Sequence, residues 1–308
     1  SALLSLFVAA AILTTQAATA AEPDFNGLAR AIQATKDATA FPAGTAVIVV
    51  KDGKVAYQGY FGYADVEAKT PVGADTAFYI ASATKPFFAL DVLLAEHAGK
   101  LDTRTSLQAM FPSARFSDFD ASAVSARHLL THTAGLDNMP LVWATAYTGL
   151  HDAGLRHRLV LETRPNAEAP IGTFEYTNVG YNIASVWLDE ATGMPWQDQL
   201  ASRIFKPLGM THTTARASDA ESRGWPVAKP YSFAAADRTQ PLYLRKTDAT
   251  MHAAGGMLST APDLATFLIA QLADGKLRRK QVLPAAVVRA SHVQQATTDS
   301  RYLDFPRD

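Results

Sequence analysis

The chain has 308 residues, 48% of them hydrophobic and 19% charged, with a formal net charge of -1. That balance fits a soluble globular protein with a sizeable core, and it offers no electrostatic basis for binding nucleic acid or an anionic membrane. There is no cysteine, which excludes disulfides, thiolate metal sites, a lipoprotein anchor and a cysteine nucleophile.

Ser1–Ala21 carries no charge, has an apolar core from Ala2 to Leu13, and ends in small residues with Ala18-Thr19-Ala20 ahead of Glu22-Pro23. This is the pattern of a secretory signal peptide over residues 1–20, and it predicts a periplasmic or secreted product with no stable membrane anchor after cleavage. A transmembrane helix would be longer and free of the interruption at Thr14, Thr15 and Gln16. The segment starts at Ser1 and has no Lys or Arg before Arg30, so the expectation is that a few residues precede it in the natural protein.

Phe25–Ala38 reads as an amphipathic helix. Thr45–Val50 is a β-branched run, Asp52-Gly53 is a hairpin turn signal, and Val55–Tyr63 continues as the second strand. The hairpin is expected to belong to an antiparallel sheet that supports the helix bearing Ser82. Phe78–Lys85 reads F-Y-I-A-S-A-T-K, a short apolar run that enters that helix at Ser82. Ser82 and Lys85 are three apart, which puts both side chains on one helical face. A serine hydroxyl becomes a nucleophile when a neighbouring base takes its proton, and a lysine with a lowered pKa can be that base. The helix N-terminus favours the negative charge that an attack on a carbonyl creates.

Leu90–His97 carries an apolar stripe and Gly99 fits the C′ position. Between about Ser106 and Lys246 the pattern is helices with long polar loops. Helical stretches lie at Ala126–Thr133 (closed by Ala134-Gly135-Leu136), Ile183–Ala191 and Trp196–Phe205. A Pro- and aromatic-bearing loop spans Trp225–Tyr243, and a capping box at Thr260–Asp263 opens a helix to Leu272. The L-R-R-K run at Leu277–Lys280 reads as a solvated helix end.

Phe174–Tyr181 reads F-E-Y-T-N-V-G-Y. With an extended backbone, Tyr176 and Asn178 point the same way. A phenol beside a lysine is a proton shuttle, and an amide can hold a substrate amide and the lysine together. On its own, Y-x-N is better explained by a buried tyrosine and a turn asparagine. His128 and His132, four apart on an expected helix, have no third ligand and no intervening glutamate. We expect them to pack, and we expect neither a metal nor a cofactor. No glycine is followed two positions later by serine, which removes the G-x-S-x-G elbow.

Taken together, these segments resemble the serine β-lactamase-like hydrolases: class C β-lactamases, D-alanyl-D-alanine peptidases and family VIII esterases. S-A-T-K at Ser82–Lys85 is similar to their first motif and Y-T-N at Tyr176–Asn178 to their second. R-H-L-L-T-H-T-A-G-L, A-T-G-M-P, P-L-G-M-T and A-G-G-M-L-S-T-A-P-D-L-A-T-F are similar to their connecting segments. The resemblance runs from about Phe25 to Asp308.

It implies an α+β fold over residues 21–308, with a sheet part at about 21–85 and 250–308 beside a helical part at about 86–249. It also implies acylation of Ser82, proton transfers shared by Lys85 and Tyr176, and substrate positioning by Asn178. The substrate is then a small or peptide-like ester, amide or β-lactam, with the oligomeric state left open. One departure stands out. The family's third motif, Lys or His followed by Thr or Ser and Gly on a strand facing the serine, is missing. His252-Ala253-Ala254-Gly255-Gly256 leads into a helix instead. The expectation is therefore a sequence that stops short of the C-terminal strands. The rival reading is a catalytically silent ligand-binding or scaffold member of the same fold, or an inactive fragment.

Overall fold

A computed structural model describes residues 25–297 apart from 117 and 244. The signal-peptide pattern and the last residues of the chain lie outside this range. Two units are present. The first contributes the helix Phe25–Thr39, and the second begins at Ala40.

In the second unit, Thr45–Lys51 and Lys54–Phe61 pair antiparallel from Thr45↔Phe61 to Lys51↔Lys54, with a register shift at Val49/Val50. Asp52 (φ 51°) and Gly53 (φ 70°) make the two-residue turn. Both lie in the left-handed region that a type I′ turn demands, and Asp-Gly supplies it at low cost.

The expected support of the serine by this hairpin needs correction. The strand that enters Ser82, Phe78–Tyr79, pairs instead with Leu258–Ser259. The hairpin packs on the helix Ala261–Leu272. Among the described residues the strands form five separate two-stranded ladders, so the architecture is α+β with several small antiparallel pairs.

The helical part is built on two buried helices. Lys85–His97 buries Phe87, Phe88, Leu90, Val92 and Ala95. Phe87 stacks on Phe267 at 3.9 Å, and Phe88 meets Trp196 edge-on at 6.2 Å. Gly99 (φ 69°) follows its C-terminus, where a residue without Cβ is favoured. Val179–Thr192 buries every residue from Val179 to Leu188. Gly180 lies against Ala126–Leu130, and a Cβ there would strike the Leu129 carbonyl. A helix apolar on most sides belongs in a core, and here two helices approach closely where glycine lets them.

Two carboxylates reach into this region, Asp91 and the partly buried Asp189. Asp91 is fully buried and meets Arg203 at 3.2 Å. Asp189 meets Arg156 at 3.3 Å and accepts from the Trp196 N–H at 2.7 Å. Burial raises both, Asp91 to about 7 and Asp189 to about 6, against the pull of their arginines. No helix among the described residues is long and apolar enough to cross a membrane.

Candidate active site

The site starts where the Phe78–Tyr79 strand ends. The Ile80 N–H donates to the Met257 carbonyl at 3.0 Å, and the chain then turns sharply at Ala81, whose φ is 46°. A left-handed alanine costs about 1–2 kcal/mol, so tertiary contacts hold this turn. Ala81–Thr84 forms a 3-10 turn, and the α-helix proper begins at Lys85 with Pro86 in its first turn. Regular helix therefore starts three residues later than the periodicity suggests. The tight turn leaves Ser82 exposed and Lys85 buried. No acceptor among the described residues takes the Ser82 N–H.

Lys85 Nζ makes three hydrogen bonds: to Ser82 Oγ at 3.0 Å, Asn178 Oδ1 at 2.8 Å and the Ala254 carbonyl at 2.7 Å. The last two partners are pure acceptors, so each takes an N–H of the lysine. The remaining tetrahedral position faces Ser82. In the ammonium form it holds a third N–H, and in the neutral amine it holds the lone pair, to which the serine O–H can donate. Burial lowers the Lys85 pKa, with Tyr176 acting against the shift. Desolvation thus favours the form that can accept the serine's proton.

Tyr176 is 53% exposed, with Lys85 Nζ 4.8 Å from its ring centroid. Burial acts to raise its pKa, but hydrogen bonding to Lys85 and Ser82 and the lysine charge outweigh it and bring the phenol below its usual range. The Tyr176–Asn178 segment belongs to no strand. Asn178 is already in the right-handed helical region (φ -83°, ψ -14°) at the start of Val179–Thr192. The Thr177 hydroxyl accepts from the Val179 N–H at 3.2 Å and makes the turn. All four residues singled out in the sequence, Ser82, Lys85, Tyr176 and Asn178, are brought together.

The helix Ala126–Leu130 ends before His132, so His128 and His132 do not share a helical face. His128 Nδ1 accepts from the Ser125 N–H in a capping box. His132 (φ 60°) lies beyond the helix and builds the site. Its ring packs on Tyr176 at 4.6 Å, its Nδ1 accepts from the Thr177 N–H at 3.2 Å, and its carbonyl accepts from the Glu175 N–H at 2.8 Å. Burial and then the Lys85 charge push its pKa down to about 4, so it is neutral at pH 7 with its proton on Nε2.

The same attachment continues beyond His132. The Gly172 N–H bonds the Thr133 carbonyl, the Asn166 N–H bonds the Gly135 carbonyl, and Leu136–Asp137 pairs with Arg164–Pro165. Gly135 (φ 63°) is required here, since a Cβ would run into the Ile171 amide and the Pro170 carbonyl carbon.

The His252–Gly256 segment lies at the site without forming a strand that faces Ser82. Its Ala254 carbonyl is one of the three Lys85 acceptors, and a Cβ on Gly255 would approach Ala81 and the His252 ring. His252 is buried, contacts Asn182 Oδ1 through Nδ1 at 3.1 Å, and is pushed down to about 3 by burial and by Lys246 and Lys85. Sequence reasoning assigned His132 only a packing role and set the His252–Gly256 segment aside as lacking the third motif, so it did not foresee that His132, His252 and Ala254 lie at the site. The Gly255-Gly256 pair was the one signal for Ala254, whose contribution is a backbone oxygen.

The model of the family described as Beta-lactamase matches residues 28–302. The chain belongs to the Beta-lactamase family. Within it, Penicillin-binding protein 4* of Bacillus subtilis (strain 168) is 32% identical over 173 residues, covering 54% of this chain and 37% of that protein. Esterase EstB of Burkholderia gladioli is 31% identical over 179 residues, covering 54% of this chain and 45% of that protein. Among solved structures, the D-amino acid amidase from Ochrobactrum anthropi SV3 superimposes with a TM-score of 0.66 at 26% identity, covering 86% of this chain and 73% of that one. The chain thus spans less than half the length of the curated relatives it matches.

Proposed function

We propose that this chain carries the catalytic residues of a serine hydrolase that acylates Ser82 with an ester, amide or β-lactam carbonyl. The observation that carries the reading is the Lys85 amine, placed 3.0 Å from the Ser82 hydroxyl with its other two hydrogens committed to Asn178 and Ala254. Ser82 Oγ attacks the carbonyl carbon while its proton passes to Lys85 Nζ. The carbonyl π pair moves onto oxygen, where the Ser82 N–H and the dipole of the following helix stabilise it. The bond to the leaving group then breaks, and Tyr176 hands a proton to the departing atom and recovers one from Lys85. Attack by water on the acyl-Ser82 ester, with its proton passing back into the Lys85–Tyr176 pair, releases the acid. Asn178 holds Lys85 and offers its amide N–H to the substrate. The relatives include penicillin-binding proteins, an esterase and a D-amino acid amidase, which supports the carbonyl class without choosing within it.

Intact-mass analysis of the full natural-length protein tests this. Benzylpenicillin or a p-nitrophenyl ester is expected to add one acyl group, and Ser82→Ala is expected to remove the adduct. A protein that turns over none of these reagents and gains no mass would instead be the silent, ligand-binding member.

We also propose export to the periplasm or beyond the cell, which rests on the uncharged, A-x-A-terminated pattern at residues 1–20. N-terminal sequencing of the protein from the producing cell is expected to start near Ala21 or Glu22. A cytoplasmic product that retains residues 1–20 would overturn it.

A further inference from the structure

Each of the three partners of Lys85 comes from a different segment. Ser82 belongs to the turn Ala81–Thr84, Asn178 stands at the head of the helix Val179–Thr192, and Ala254 lies in residues 252–256. One side chain stands where these segments meet. His252 is 7% exposed, and the proposed reaction gives it no step. Its Nδ1 donates to Asn182 Oδ1 at 3.1 Å. Asn182 is 1% exposed and lies one turn beyond Asn178, whose carbonyl accepts its N–H at 3.1 Å. The His252 carbonyl accepts from the Gly255 N–H at 2.9 Å, which closes the turn that presents the Ala254 oxygen. Its Nε2 meets the serine turn across Gly255. The position of a Cβ there lies 3.1 Å from Nε2 and 3.4 Å from the Ala81 carbonyl carbon, so a larger residue would push the two apart.

We propose that His252 is a positioning residue: through Asn182 and the turn at Ala254 it holds the two fixed acceptors of Lys85, so that the remaining position of Nζ points at Ser82. This role rests on Lys85 acting as the base for Ser82.

Acceptors held on Nζ bind the ammonium more strongly than the amine, so loosening them lowers the Lys85 pKa further. A site that merely opened to water would solvate the ammonium and raise it. The sign separates positioning from general loosening. The other groups that face Lys85 are Tyr176 and Tyr181, with ring centroids 4.8 and 5.6 Å from Nζ, and the neutral His132, while the Lys246 charge acts on His252.

The test is an NMR titration of the Lys85 ε carbon in the full-length protein, with the signal assigned by its loss in Lys85→Arg. His252→Leu and Asn182→Leu each remove one end of the hydrogen bond, and thermal melting checks that both fold. Each is expected to move the Lys85 titration about half a pH unit or more toward acid. Each should also cut kcat/KM for p-nitrophenyl acetate by about tenfold or more. The double variant should lose no more than either single one, because both cut the same bond. His252→Asn keeps a polar atom where Nδ1 stands and should recover both readouts. If the Leu variants melt early, His252→Gln, with no polar atom at that position, gives the same comparison. A Lys85 titration that is unchanged or moves toward alkali, or losses that multiply in the double variant, would overturn the proposal. A wild-type protein that forms no acyl group on Ser82 would defeat the hydrolase reading alone, since the lysine titration is read without substrate and still decides the role of His252.

Discussion

Lys85 Nζ holds Asn178 and Ala254 with two of its hydrogens, which leaves one choice, the direction of its bond to Ser82. Lys85→Ala should lower kcat/KM for an activated ester by about 10²- to 10⁴-fold. Lys85→Arg should rescue none of it, because a guanidinium does not deprotonate. Activity requires the neutral amine, so kcat/KM should rise with pH through the lowered Lys85 pKa. It should fall again as the depressed Tyr176 phenol ionises, and in Tyr176→Phe that alkaline fall should disappear from the residual rate. A pH profile of the same shape in both proteins would argue against Tyr176 as a proton carrier. That Ser82, Lys85, Tyr176 and Asn178 lie together was legible in the sequence because their side chains make up its two short polar motifs. Ala254 was not, because any residue but proline offers the same carbonyl and only the fold decides which one faces the lysine.

One level up, two short segments decide where Tyr176 sits. Residues 132–137 are fastened to residues 164–177 by backbone bonds and by the His132 ring. His132→Val places a β-branched residue at a φ of 60° and should lower both the melting temperature and kcat. His132→Asn tolerates that conformation and should retain the fold while lowering kcat through the loss of the ring under Tyr176. If both variants keep wild-type kcat, His132 does not position Tyr176. Gly180→Ala should cost about 1–3 kcal/mol by forcing the two helices apart at the Leu129 carbonyl, measured by chemical denaturation. At this scale, β-branching and Asp-Gly announced the hairpin, and apolar periodicity announced the helices. The pairing of Phe78–Tyr79 with Leu258–Ser259 was hidden, since a two-residue ladder across so much chain leaves no period to read.

For the molecule as a whole, the buried Asp91 and the partly buried Asp189 contribute a pH dependence. Asp91 and Asp189 have folded-state pKa values above the ordinary 3.8, at about 7 and about 6. The folded state therefore prefers their protonated forms. The stability they contribute is full below pH 3.8 and is lost as pH rises through 6 to 7. For Asp91 alone the loss between pH 5 and 7 is on the order of 2–3 kcal/mol. Denaturation at pH 5 and pH 7.5 should show that drop, and Asp91→Asn should flatten it. An unchanged slope in the variant would rule out Asp91 as its source.

The three bonds of Lys85 also have a consequence in time. They join it to a neighbour 3 residues away, to one 93 residues away and to one 169 residues away. A contact across that much chain is made only after the intervening structure has closed. On refolding, helical circular dichroism should recover first. Acylation at Ser82 should return with the slowest phase, as a clock for the last closure of the chain.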